Sequence, residues 1–82
     1  MTSDSAIIMY GTNWCPDCHR AQRVFELNKV PFTYINIEND EAAAAYVVQL
    51  NHGRRSVPTI VLPDGAILVE PSNMELQQKL VQ

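Results

Sequence analysis

The rhythm of apolar and polar positions changes seven times along the chain. Ala6 to Tyr10 is a short apolar run closed by Gly11, the pattern of a buried strand. From Pro16 to Asn28 the apolar positions Ala21, Val24, Phe25 and Leu27 recur at helical spacing, and proline suits a first helical turn. The stretch "VPFTYINIE" then alternates, with Phe32, Tyr34 and Asn36 on one face and Thr33, Ile35 and Ile37 on the other, which predicts a strand. Asn39 or Asp40 caps a second helix that runs to about Leu50, with Ala43, Val47 and Leu50 as its inner stripe and Gly53 just past its end. "VPTIVL" predicts a third strand, Pro63–Gly65 a turn, and "AILVE" the returning strand of a hairpin. Ser72 with Glu75 forms a capping box before a last helix to about Val81.

The predicted order is β-α-β-α-β-β-α. The first β-α-β should be parallel with a right-handed crossover and the later hairpin antiparallel. This makes an α/β fold with a four-stranded mixed sheet flanked by helices, and residues 1–82 form a single domain.

Composition fits a small globular chain: 82 residues with 46% hydrophobic and 18% charged positions. A net charge of −3, with no basic run beyond Arg54–Arg55, argues against nucleic acid or an anionic membrane as partner. The longest apolar run, Ala42 to Val48, is too short to span a bilayer. The start "MTSDSAIIMY" has neither a basic opening nor a long apolar stretch, so a cytoplasmic location is expected.

The stretch "NWCPDCHR" carries the candidate chemistry. Its cysteines, Cys15 and Cys18, fit half a zinc site, a covalent haem attachment through Cys15-Pro16-Asp17-Cys18-His19, or a dithiol that cycles with a disulfide. Zinc needs about four ligands, and the remaining candidates, His19 and His52, stand 33 residues apart in no finger spacing. Haem attachment belongs outside the cytoplasm and in mostly helical chains. In the reducing cytoplasm a cysteine pair is more often catalytic or metal-binding than structural. The residues favour the dithiol, and no bound metal or cofactor is expected.

The pair lies where the first strand passes into the first helix. A helix N-terminus presents unpaired N–H groups and partial positive charge, which favour an anion. Cys15, at or next to the N-cap, should titrate at about 4–7 and supply the nucleophilic thiolate. Cys18 lies one turn on, on the same side but deeper, placed to resolve a mixed disulfide. Trp14 flanks Cys15 with an apolar surface. Asp17 opposes the thiolate, and Arg20 offsets part of that charge.

The segments "YGTNWCPDCHRA" and "SVPTI" resemble the active-site and T-V-P segments of the glutaredoxins. The resemblance runs from Ile7 to Val81 with the elements in the same order. It implies the thioredoxin fold, Cys15 as nucleophile, Cys18 as resolving thiol, and a cis Pro58 facing them. Val57 would pair through its backbone with the cysteine portion of a bound thiol, as a short added strand. Several positions depart from glutathione-binding members. Thr12 stands where a lysine is frequent, Asp17 replaces a tyrosine, and Val69-Glu70-Pro71 replaces a Gly-Gly pair. The Trp14-Cys15 pair, the alanine-rich second helix and the pattern Asn51, Gly53, Arg55, Val57–Thr59 are most similar to the mycoredoxins.

The resemblance therefore implies a thiol–disulfide oxidoreductase that reduces mixed disulfides between proteins and a low-molecular-weight thiol. Mycothiol is favoured as co-substrate and glutathione is second. Its partners would be that thiol, oxidised or thiolated proteins and, indirectly through the thiol pool, a flavoprotein reductase, with the protein itself a monomer. The alternatives are a thioredoxin-like electron donor reduced by thioredoxin reductase, or a non-enzymatic redox switch. Trp14, Arg55, Val57, Pro58, Ser72 and Asn73 are the candidate thiol-binding residues. Ser72 and Asn73 are included because the N–H groups opening the last helix could hold a ligand carboxylate.

Overall fold

The computed structural model describes residues 7–80, so the expected strand start at Ala6 and helix end at Val81 lie outside the described residues. Four strands appear: β1 (Ile7–Gly11), β2 (Phe32–Asn36), β3 (Thr59–Val61) and β4 (Ile67–Val69). Three helices join them: α1 (Pro16–Leu27), α2 (Glu41–Leu50) and α3 (Asn73–Leu80). The sheet order is β2-β1-β3-β4, parallel between β1 and β2 and antiparallel elsewhere. The expected α/β architecture and element order are therefore present.

Alternation along each strand divides the core in two. Ile7 and Met9 of β1, Phe32 and Tyr34 of β2 and Ile60 of β3 pack with Ala21, Val24 and Phe25 of α1 and with Leu76 of α3. On the opposite face Ile8 and Tyr10, Ile35 and Val61 pack with Ala43 and Val47 of α2. The central strand β1 is thus apolar on both faces. It ends where the cysteines begin, so the site rests on the most buried backbone of the sheet.

The local signals hold with small shifts. Asp40 caps α2 by accepting the Ala43 N–H at 3.0 Å, and Ser72 and Glu75 form the reciprocal capping box. α1 stops at Leu27, with Asn28 as its C-cap. The hairpin strands are shorter than their apolar runs, covering Thr59–Val61 and Ile67–Val69. Leu50 is half-buried rather than part of the inner stripe, because α2 ends there. An additional 3-10 turn at Ile37–Asn39 follows β2, its start capped by the Asn36 side chain. It swings Ile37 into the core and leaves Glu38 exposed beside the cysteine loop.

Gly11 closes β1 under tight constraint. A Cβ at this position would stand 2.6 Å from Tyr34 Oη and 2.7 Å from Cys18 Sγ. We expect Gly11→Ala to cost about 1–3 kcal/mol, the usual penalty for overpacking. Denaturant unfolding of the reduced variant checks this, and an unchanged midpoint would mean that the phenol and the sulfur make room at no cost.

Candidate functional site

The backbone at Cys15 is extended (φ −89°, ψ 108°), and the helix begins at Pro16, whose missing N–H costs nothing in a first turn. Cys15 is therefore the N-cap of α1. Its Sγ accepts the Cys18 N–H at 3.0 Å, in the position a serine or aspartate oxygen takes at an ordinary cap. Cys15 and Cys18 are joined as a disulfide. Cys18 is fully buried, whereas Cys15 retains 4% of its surface.

Neighbours hold the loop in place. His19 Nε2 lies 2.8 Å from the Asn13 carbonyl, so that ring nitrogen carries a proton and donates. The Tyr34 hydroxyl donates to the Thr12 carbonyl at 2.7 Å. Burial pushes the Tyr34 phenol above its ordinary value, with a hydrogen bond from Gln22 pulling the other way, so the group stays protonated at neutral pH. Asp17 and Arg20 approach at 3.6 Å on the exposed side of α1, a weak solvated pair. Arg20 also donates to Asn73 Oδ1 at 2.6 Å and to the Pro71 carbonyl at 3.1 Å. It thereby ties the start of α3 to α1.

A groove of about 250 Å³ opens beside the cysteine loop, lined by Thr12, Trp14, Ile37, Glu38, Arg55 and Val57. It gathers Trp14 with Arg55 and Val57, which come from two separate stretches of sequence. The Val57–Pro58 bond is cis and Pro58 is fully buried. Trp14 is 67% exposed, yet its Nε1–H donates to Glu38 Oε2 at 2.6 Å. The indole thus stands as a fixed wall of the groove. Glu38 and Arg55 give the lining one carboxylate and one guanidinium.

Ser72 and Asn73 do not line this groove. Ser72 is engaged with Glu75 in the capping box, and the Asn73 side chain with Arg20. Arg54 turns away from Arg55 and lines a different groove with His52, Ser56 and Glu70.

Thr12, Ile37 and Glu38 belong to the lining without having been expected there. Glu38 is joined to Trp14 across 24 residues by the unforeseen 3-10 turn, and no local pattern marks it. Thr12 is 2% exposed, and its Oγ1 is a buried polar atom without a partner among the described residues. Such an atom costs about 1–3 kcal/mol. Among the described residues no three His, Cys, Asp or Glu side chains gather into a group that could hold a metal ion. Nor is any described helix long and apolar enough to cross a membrane.

Comparison with known proteins agrees with this geometry. The family model for glutaredoxin matches residues 7–67. A protein of Mycobacterium tuberculosis named as a candidate glutaredoxin is 37% identical over 78 residues, covering 95% of this chain and 93% of its own. Mycoredoxin 1 of Corynebacterium glutamicum is 32% identical over 76 residues, covering 93% of this chain and 94% of its own. Among solved structures, the glutaredoxin of Archaeoglobus fulgidus superposes with a TM-score of 0.77 at 25% identity, covering 95% of this chain and 87% of its own. The thioredoxin-like protein BC3987 also gives 0.77, at 26% identity, covering 88% and 96%. The architecture described above is a thioredoxin-like fold.

Proposed function

The chain belongs to the glutaredoxin family of thiol–disulfide oxidoreductases, and from that premise we propose that it reduces mixed disulfides between proteins and mycothiol, with Cys15 as nucleophile and Cys18 as resolving thiol. The observation that carries the reading is the capping geometry: Cys15 Sγ receives the Cys18 N–H at the mouth of α1. In the reduced protein that hydrogen bond and the helix terminus favour the sulfur as an anion.

The reaction starts with Cys15 thiolate attacking the mycothiol sulfur of a protein–mycothiol disulfide. A new S–S bond forms to Cys15, the old one breaks, and the protein leaves as its thiolate. Two routes then restore the enzyme. A second mycothiol thiolate can attack the mycothiol sulfur held on Cys15, which frees Cys15 and yields mycothiol disulfide. Alternatively Cys18 attacks Cys15 and expels mycothiol, giving the Cys15–Cys18 disulfide. Two further mycothiol molecules then reduce that disulfide and leave as one mycothiol disulfide. A flavoprotein reductase keeps the thiol pool reduced.

Two features support mycothiol over glutathione. One is the likeness to mycoredoxin 1. The other is the groove, where Glu38 balances Arg55. A lining without net positive charge suits an uncharged sugar–amide thiol better than a tripeptide with two carboxylates. Val57 would align its backbone with the cysteinyl amide, and the Trp14 face would cover the apolar side of the ligand.

The test is a reductase-coupled assay with the 2-hydroxyethyl mixed disulfides of mycothiol and of glutathione. We expect kcat/KM to be at least about tenfold higher with mycothiol. Equal values, or a preference for glutathione, would overturn the choice of thiol. A single stoichiometric oxidation without turnover would favour a redox switch instead.

A further inference from the structure

Gly11 leaves open a point that side chains of two other elements share. A Cβ there would stand 2.6 Å from Tyr34 Oη and 2.7 Å from Cys18 Sγ, and the third nearest atom from elsewhere in the chain, at 3.1 Å, is again of the Tyr34 ring. The phenol oxygen and the sulfur therefore face each other across a space that a missing side chain keeps free. Cys18 has no exposed surface, so a thiol formed there is closed off from solvent and needs a partner within the protein. The Tyr34 proton is already committed. It goes to the Thr12 carbonyl at 2.7 Å, and burial keeps the phenol protonated. Toward Cys18 the oxygen can therefore act only as an acceptor. A disulfide sulfur has no proton to give it, whereas a thiol has one.

We infer that Tyr34 is the hydrogen-bond acceptor of the reduced Cys18 thiol and thereby raises the reduction potential of the pair. The inference rests on the reading of Cys15 and Cys18 as a dithiol that cycles. It adds a residue that acts on one of the two redox forms and not on the other. Reduction by an external dithiol breaks the Cys15–Cys18 bond, passes two electrons to the pair and releases the reductant as its own disulfide. One of the reductant's two protons ends on Cys18 Sγ, and the other goes to Cys15 or to solvent. With the S–S bond gone, Cys18 can turn about its Cα–Cβ bond and point its S–H at Oη. The hydrogen bond so formed stabilises the reduced form alone. It also favours Cys18 as a thiol over Cys18 as a thiolate, which leaves Cys15 as the sulfur that ionises. One tyrosine thus supports the division of labour between the two cysteines.

Tyr34→Phe tests this, since it removes the oxygen and keeps the ring. Both redox forms of the variant lose the bonds to Thr12 and Gln22, so that loss cancels when the two forms are compared. The reduced form alone loses the bond from Cys18. At equilibrium with dithiothreitol the variant should favour its disulfide about fivefold more than wild type, the worth of one hydrogen bond, which is a potential about 20 mV lower. A second measurement reads the proton itself. The chain has two cysteines, so Cys15→Ala leaves Cys18 as the one thiol, and the infrared S–H stretch reports that group alone. This band should lie below that of an alkanethiol in an apolar solvent and should rise when Tyr34→Phe is added. A tyrosine that merely holds the loop through Thr12 would weaken both redox forms equally, leaving the potential and the band where they were, and that result would overturn the inference. So would a shift of the equilibrium toward the dithiol. If Tyr34→Phe does not fold, the Cys15→Ala band decides: displaced downward it supports the inference, and at the free alkanethiol position it overturns it. A wild-type pair that does not exchange reversibly with dithiothreitol would overturn the cycling-dithiol reading and this inference together. Reversible exchange with an unshifted Tyr34→Phe overturns only the inference.

Discussion

Cys15→Ser is expected to reduce turnover of every disulfide substrate to background while leaving the fold intact. The two halves of that expectation have separate causes. Activity disappears because a serine hydroxyl is not ionised at neutral pH and cannot exchange with a disulfide. The fold persists because Cys15 is the N-cap of α1, and serine is among the preferred residues there. Its oxygen can accept the Cys18 N–H that the sulfur accepts now. A good cap is worth about 0.5–2 kcal/mol, so the variant should stay folded, although it gives up the stability that a thiolate of lowered pKa lends the reduced wild-type protein at neutral pH. The comparison has to be made with reduced protein, since the variant cannot form the Cys15–Cys18 disulfide. Residual exchange above background would place the nucleophile elsewhere. Loss of helical signal in circular dichroism would contradict the capping argument instead.

The features that were legible in the sequence are those encoded within a few residues. The capping box at Ser72 and Glu75, the Asp40 cap and the Pro63–Gly65 turn are local signals, and each appears where its residues stand. The alternation of β2 correctly sends Phe32 and Tyr34 to one face and Ile35 to the other. The cysteine pair was legible for the same reason: a proline after Cys15 marks a first helical turn, and the cap follows.

What stayed hidden depends on contacts between distant segments. Nothing near Glu38 announces that it holds the Trp14 indole, because the 3-10 turn that delivers it is set by the Asn36 cap and by burial of Ile37. Gly11 looks like the end of a strand, but its need for a missing side chain comes from Tyr34 and Cys18, which reach it from other elements. Arg54 and Arg55 are adjacent and chemically alike, yet they line different grooves. The anion preference of a helix start points to Ser72 and Asn73, but it takes no account of Glu75 and Arg20 as their partners. Three-residue strands β3 and β4 fall short of their apolar runs because pairing, rather than hydrophobicity, sets where a strand ends.

Cys18→Ser should separate the two kinds of substrate that Cys15→Ser cannot distinguish. On the proposed mechanism the first exchange uses only Cys15, and a second low-molecular-weight thiol can free it again. The variant should therefore keep substantial turnover of thiol–protein mixed disulfides. It should also accumulate a Cys15–thiol adduct, visible by mass spectrometry as one added thiol per chain. Protein disulfides present a different problem. There Cys15 becomes bound to the substrate protein itself, and release calls for a second sulfur already in place. Cys18 fits that task, because it stands one turn along α1 and is bonded to Cys15 in the oxidised protein. The complex would shield this bond from bulk thiols, so Cys18→Ser should lose most activity toward protein disulfides and trap a covalent complex. Folding should survive the change, since a buried serine in a helix can bond to its own backbone one turn earlier. Equal losses in both cysteine variants on a mixed-disulfide substrate would contradict this division of labour. An adduct on Cys18 in the Cys15→Ser protein, formed at the wild-type rate, would reverse the roles of the two sulfurs.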